Sequence, residues 1–284
     1  MADQREHKLE YTSRYIEGSE MIYGEGFLSP GGAEEVARIL EGISIAGRIV
    51  LDVGCGVGGA NVLLARDYDT KRVLGIDVEQ QLVDHATVRA SEEGLSDRLF
   101  FKLVQPGPLP IEDVAFDVVF SKDAICHIPD KPAAYAEILR VLRPDGPFVG
   151  SDWLKGFDGP LSKDMLYYCE MEGVSFHFET MENTARALRQ AGFVDVSLRN
   201  RNDWYRDVAR REYEMLKGPL YSRMVELQGK EDADWVVEGW RAMVVVLDKG
   251  ELCPSHIRAW KPGVTRPLQH DPATQRSWIS TARA

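Results

Sequence analysis

Between residues 48 and 68 an apolar run, RIVLDV, is followed at once by GCGVGG and then by ANVLLARDY, whose apolar residues recur at helical spacing. A short apolar run stopped by glycines suits a buried parallel strand. Glycines at 54, 56, 58 and 59 allow a sharp turn and let a ligand approach the peptide groups closely. A strand that turns so tightly into a helix is the first half of a βαβ unit. It constrains the whole chain, because a parallel sheet needs helices over both faces.

The pattern downstream agrees. RVLGID (72–77), LFFKLV (99–104), FDVVFS (116–121) and PFVGSDW (147–153) read as further strands, with EQQLVDHATVRASEEG and PAAYAEILRVLRPDG as helices among them. The alternation predicts an α/β, Rossmann-like chain whose mostly parallel sheet is flanked by helices. Beyond Trp153 the rhythm changes. A loop and helix carry Tyr167 and Tyr168, MENTARALRQAGF reads as a helix and VDVSLRN as a strand. Helical stretches follow at 203–228 and 231–246, and CPSHIRAW (253–260) is a closing strand, antiparallel if it returns beside its neighbour. The expected organisation is a polar, aromatic-bearing N-terminal segment over 1–30, a main domain over 31–262 with helical stretches within 154–180 and 203–247, and a loose tail over 263–284.

Composition narrows the function. A formal charge of −11 argues against a nucleic-acid surface and is compatible with a cationic ligand. The four cysteines have neither CxxC nor zinc-like spacing and read as free thiols, with no metal site expected. MADQREHKLEY lacks the apolar core of a signal peptide and no run approaches a membrane span, so a cytoplasmic protein without a membrane partner is expected.

The glycine cluster matches both GxGxxG, a dinucleotide fingerprint, and DxGxGxG. Asp52 lies two residues before the first glycine, where a carboxylate can receive the ammonium group of S-adenosylmethionine; a pyrophosphate needs no such group. Asp77 ends the next strand, at the spacing for gripping ribose hydroxyls in either ligand. The bland alternative is that Asp52 caps the turn and the glycines only make a bend. FSKDAICHIPD sets Asp123 and His127 four apart, on one helical face, after the fourth strand. A carboxylate there would raise the histidine above its usual value of about 6.5 and fix its tautomer, which suits a general base. As a local feature, Asp123 would instead cap a helix starting near Ala124 and His127 would be a helix-end histidine.

LDVGCGVGG, GIDVEQ and FDVVFSKDAICHI resemble the class I S-adenosylmethionine-dependent methyltransferases. With YTSRYIEGSEMIYGEGFLSPGG at 11–32, DGPFVGSDW and EGWRAM at 238–243, the chain resembles the phosphoethanolamine and sarcosine/dimethylglycine N-methyltransferases over nearly its whole length except the tail. The resemblance implies a seven-stranded sheet flanked by helices, a helical N-terminal lid over 1–30, substrate-covering helices at 154–180 and 203–247, S-adenosylmethionine as cofactor and S-adenosylhomocysteine as product. It implies cofactor contacts at Asp52, Gly54, Cys55, Gly56, Gly58, Asp77, Val78 and Ser121, and at Gln105, where the family usually has aspartate. It gives Asp123 and His127 the part of a catalytic dyad and Tyr11 that of a tyrosine closing over the substrate amine.

Expected acceptor-site residues are Tyr15, Tyr23, Trp153, Tyr168, Glu170, Phe176, Arg201 and Met243. The family's phosphate grips, a Tyr–Arg–Tyr set and a lysine, fall at Glu170, Val174, Phe176 and Met243: three lose the donor and one is acidic. The sequence therefore leads to an unphosphorylated amine or amino acid, of glycine-derivative type, as acceptor. Transfer to sulfur or oxygen of a small metabolite, a phosphobase acceptor, an NAD-dependent oxidoreductase and a non-catalytic sensor stand as alternatives. The expected partner is a small molecule, and the expected state a monomer or homodimer.

Overall fold

The computed structural model describes residues 11–263. Seven strands form one sheet: β1 (Ile49–Val53), β2 (Arg72–Asp77), β3 (Leu99–Leu103), β4 (Val118–Lys122), β5 (Pro147–Asp152), β6 (Val194–Asn200) and β7 (Ser255–Trp260), in the order β3-β2-β1-β4-β5-β7-β6. β1 to β5 are parallel, and β7 runs antiparallel to both its neighbours. This is the seven-stranded, mostly parallel architecture expected, including the antiparallel closing strand.

Alternation along each strand sorts the core into two layers. Val50, Val118, Phe120 and Val149 face α2 (Gly32–Ile39), α3 (Gly59–Arg66) and α4 (Gln80–Glu92). Leu51, Val119 and Phe148 face α5 (Lys131–Val141) and α7 (Met181–Ala191). A third cluster gathers α6 (Lys163–Glu172), α8 (Asn202–Lys217), α9 (Tyr221–Gln228) and α10 (Lys230–Asp248) with Trp153. α1 (Ser13–Tyr23) begins where the Thr12 hydroxyl accepts the Tyr15 N–H and ends at Gly24, whose φ of +95° is left-handed.

The long helical stretch expected over 203–228 is two helices, α8 and α9, separated at Gly218 and Pro219, because proline lacks the N–H that helix continuation requires. Residues 264–284 of the tail expected over 263–284, and the first ten residues, lie outside the described residues. Among the described residues no helix is long and apolar enough to cross a membrane.

The strand order reverses at β1 and β4, which places a crevice at their C-terminal ends. Val53, Asp77, Lys122 and Asp152 end their strands on that rim. Behind it, a buried polar network ties α2 to the antiparallel edge. Glu35 and His256 are both fully buried and meet at 2.5 Å, and Arg201 reaches the other Glu35 oxygen at 2.9 Å. His256 Nε2 must carry the hydrogen, since the carboxylate only accepts, and Nδ1 is left to receive Arg199 at 3.4 Å. Burial lowers the His256 pKa, in keeping with a neutral ring.

Burial alone would raise Glu35, but the bonds and charges of His256 and Arg201 outweigh it and hold the carboxyl at about 2. A depressed carboxyl contributes stability that is complete above its ordinary pKa of 4.5 and is lost as pH falls toward 2. Glu35→Ala should therefore cost about 3–5 kcal/mol at neutral pH in urea denaturation, because it leaves a buried guanidinium unpaired. Glu35→Gln should flatten the part of the acid limb between pH 4.5 and 2; an unchanged limb would refute this role.

Candidate active site

The glycine loop after β1 is already satisfied by the protein. The N–H groups of Gly54 and Cys55 donate to the Ile76 carbonyl, Gly56 to the Asp77 carboxylate, Gly58 to the Cys55 carbonyl and Gly59 to the Gly26 carbonyl. A dinucleotide loop aims such groups at a pyrophosphate, so the oxidoreductase alternative finds no support here. Gly54 has φ +76°, and a β-carbon on it would lie 2.2 Å from Ala124 Cβ, so only glycine fits. Asp77 accepts from Gly56, Val78 and Glu79, which uses three of its roughly four acceptor positions. Asp52 is buried in the middle of the rim, and its Oδ1 has no hydrogen-bond partner. Burial first, then the Asp77 charge, pushes its carboxyl up to about 7; the Asn61 side chain opposes the shift without completing a bond of good geometry.

The other residues expected around the loop differ in what they offer. The Ser121 hydroxyl donates to the Val53 carbonyl at 2.8 Å and so fastens β4 to β1. Cys55 is buried and burial pushes its thiol well up, leaving its backbone as the useful part. Val78 and Gln105 are exposed on the rim beside Asp77.

Asp123 follows β4 directly, with a left-handed φ of +57°. Its Oδ1 accepts from Ser151 at 2.7 Å, and its Oδ2 from Ser29 and from Lys122, each at 2.8 Å. The helix expected from Ala124 is only a 3-10 turn, Ile125–His127, because Ile128 is pushed to extended backbone ahead of Pro129. Asp130, not Asp123, is the cap of the next helix, accepting from the Ala133 N–H. The turn is pinned from both sides. Asp152 Oδ1 accepts the Cys126 N–H at 2.8 Å, and the buried Lys131 ammonium donates to the carbonyls of Ile125 and Ile128. Desolvation raises the Asp152 carboxyl to about 7, with Lys131 opposing.

His127 does not take its tautomer from Asp123. Its Nδ1 lies 2.9 Å from the Ser175 carbonyl, so Nδ1 carries the hydrogen and Nε2 is the ring's basic atom. Nor does the carboxylate raise its pKa overall: burial lowers it below 6.5, and the Ser175 bond and the Asp123 charge offset that only in part.

Above the turn stand aromatic rings. Phe176 lies 5.0 Å from His127 and 6.0 Å from Tyr168, and Tyr23 lies 5.6 Å from Trp240. Tyr11 meets Tyr15 edge-on at 5.4 Å and packs with Val57 and Leu82, and its hydroxyl, raised by burial, feels Tyr15 and Asp77. Trp153 and Met243 are buried in the same apolar cluster.

Two expectations fail here. Arg201 is paired with Glu35 and lies over the Trp204 ring, so its charge serves the core. Glu170 is exposed, whereas Glu172, half a turn away on α6, turns inward. Burial pushes Glu172 up to about 7, and its charge is felt by Tyr15, Tyr23 and Tyr168. The face it shares with Tyr168, four residues earlier, was visible in KDMLYYCEME. Glu212, which accepts from Trp240 Nε1, is likewise raised by burial to about 7 and was missed.

Residues 51–150 match the family described as a methyltransferase domain. Phosphoethanolamine N-methyltransferase 1 of Arabidopsis thaliana is 32% identical over 89% of this chain and 49% of its own. The solved phosphoethanolamine N-methyltransferase 2 of Haemonchus contortus, with phosphomonomethylethanolamine and S-adenosylhomocysteine, superposes with a TM-score of 0.80 at 25% identity, over 87% of this chain and 57% of that one. A putative sarcosine dimethylglycine methyltransferase from Galdieria sulphuraria shares the fold, with a TM-score of 0.67 at 22% identity, over 81% of this chain and 83% of that one. This is a class I S-adenosylmethionine-dependent methyltransferase domain. The chain spans about half the length of the curated relatives it matches.

The methyltransferase's residues fit that cofactor. The orphaned Asp52 oxygen suits an ammonium group, and Asp77 keeps an acceptor position for a ribose hydroxyl. Bound there, S-adenosylmethionine supplies an electrophilic methyl group. Because an ammonium favours ionised Asp52, ligand binding below pH 7 should release a proton, and affinity should rise with pH up to about 7. Calorimetry of S-adenosylhomocysteine binding in buffers of different ionisation enthalpy would read this. Asp52→Asn should abolish the proton release and weaken binding about 10- to 100-fold; a pH-independent wild type would refute the assignment.

Proposed function

We propose that the chain transfers a methyl group to the nitrogen of a small amine, with His127 accepting the amine proton. The observation that carries this is the fixed tautomer of His127: Nδ1–H is held by the Ser175 carbonyl, and Nε2 is an unprotonated base at neutral pH. Amines are largely protonated near neutrality and must lose that proton before they attack. The pinned turn holds the base still, which matters because alignment supplies roughly 7–11 kcal/mol in such displacements. Asp123, paired with Lys122 and held by two serine hydroxyls, fixes the start of the turn that carries His127. Tyr15, Tyr23 and Tyr168 offer faces to an ammonium, worth about 0.5–2 kcal/mol each, and Tyr11 closes the cofactor side.

The relatives' names favour a phosphobase over the unphosphorylated acceptor expected from the sequence, and phosphoethanolamine is the first acceptor to test. One feature of this chain favours a second reading, an unphosphorylated amine or amino acid. Val174, Phe176 and Met243 stand where donors to a phosphate were expected, and Glu172 and Glu212 face the same rings. Carboxylates beside a phosphate dianion would cost several kcal/mol, on the order of an unpaired buried ion.

Labelled S-adenosylmethionine with phosphoethanolamine, glycine, sarcosine, dimethylglycine and a thioether amino acid separates these readings. Methylation of an amine should fall about 10²- to 10⁴-fold in His127→Ala. Its kcat/KM should decline on the acid side through a pKa lowered from 6.5. Transfer to the thioether alone, at a rate that His127→Ala leaves unchanged, would overturn N-methylation.

A further inference from the structure

Residues 24–30, which connect α1 to α2, touch both halves of the site. Gly26 donates its N–H to Glu20 Oε1 at 2.7 Å, and its carbonyl accepts from Gly59 at 3.0 Å, where α3 begins. Neither glycine has room for a side chain: a β-carbon on Gly59 would lie 2.3 Å from the Gly26 oxygen, and one on Gly26 would lie 2.6 Å from Gly59 Cα. A few residues later, Ser29 donates to Asp123 and accepts from Lys122.

Arg89, on α4, stands at the junction. Its Nε donates to the Val57 carbonyl of the glycine loop at 2.9 Å, one terminal nitrogen bonds Glu20, and the other bonds Glu25 at 3.1 Å. Three acceptors from two separate segments thus converge on one planar fork, a geometry that lysine, with a single ammonium, cannot reproduce. The reaction derived above uses Arg89 for nothing.

We propose that Arg89 is a positioning residue for the methyl donor: it sets the glycine loop through Val57 and, through Glu20 and Glu25, makes the seating of residues 24–30 and of that loop one event. Because Ser29 lies on the seated segment, the donor side and Asp123 are then mechanically joined. Such coupling is reciprocal, so ligand in the donor site tightens the segment and the seated segment tightens the ligand. The inference concerns the donor site alone and holds whichever acceptor is correct.

Binding of S-adenosylhomocysteine to the full chain, by calorimetry, tests it without any acceptor, so failure of the proposed reaction would not touch the result. Arg89→Lys should weaken binding about tenfold, and Arg89→Met more. Hydrogen exchange adds a readout that a merely stabilising ion pair would not move. In the wild type the ligand should slow exchange at Gly26 and Gly59 together; in the Arg89 variants it should slow Gly59 far more than Gly26. If an Arg89 variant does not fold, Glu20→Gln combined with Glu25→Gln replaces both charged acceptors by neutral ones and weakens the same link from the other side, with smaller losses in the same direction. Wild-type affinity in Arg89→Lys or in the doubly neutralised variant, or ligand protection of Gly26 that persists in either, would overturn the proposal.

Discussion

The approach of Gly54 to Ala124 is the constraint from which the site follows. A β-carbon at 54 would sit 2.2 Å from Ala124 Cβ, far inside any contact real side chains make. The cofactor loop and the turn bearing His127 are therefore pressed together, backbone to side chain. The sheet arranges this by leaving β1 and β4 adjacent where the strand order reverses. Everything else on the rim is placed relative to that contact: Asp77 braces the loop from β2, Ser121 ties β4 to β1, and Asp152 and Lys131 pin the turn from β5 and α5.

Desolvated carboxyls lie on the rim and on the helices beyond it. Asp52, Asp152, Glu172 and Glu212 are all raised to about 7 by desolvation. Each therefore holds a proton more readily than a carboxyl in water, and ionises fully when a positive group approaches. In the function proposed above, the ammonium and sulfonium of the donor and the acceptor nitrogen are such positive groups. The loop's amides, turned to protein acceptors, contribute little to this, so recognition falls to side chains.

The five parallel strands were legible because they write themselves as short apolar runs, whereas β6 and β7, VDVSLRN and SHIRAW, showed by alternation of apolar and polar residues. Asp52 and Asp77 could be placed for the same reason, since they sit at fixed positions relative to strand ends. Less could be read where partners come from afar. Nothing in FSKDAICHIPD reveals that Ser175 holds Nδ1 of His127, or that Ser29 and Ser151 hold Asp123. Four-residue spacing suggested a helix, but Pro129 shortened it to a single tight turn. Arg201 was misplaced because Glu35, its partner, is 166 residues away in sequence. Glu170 and Glu172 are told apart only by helical phase: Glu172, four residues after the buried Tyr168, shares its inward face, and Glu170 does not.

The facing glycines at 26 and 59 carry a consequence for engineering. Each occupies the space the other's side chain would need, so neither position is free to vary while its counterpart stays in place. A different N-terminal segment grafted onto this sheet, to alter which acceptor is taken, would have to bring a glycine to the position of Gly26. A library that varied the segment without fixing that residue would sample mostly chains whose new segment cannot dock.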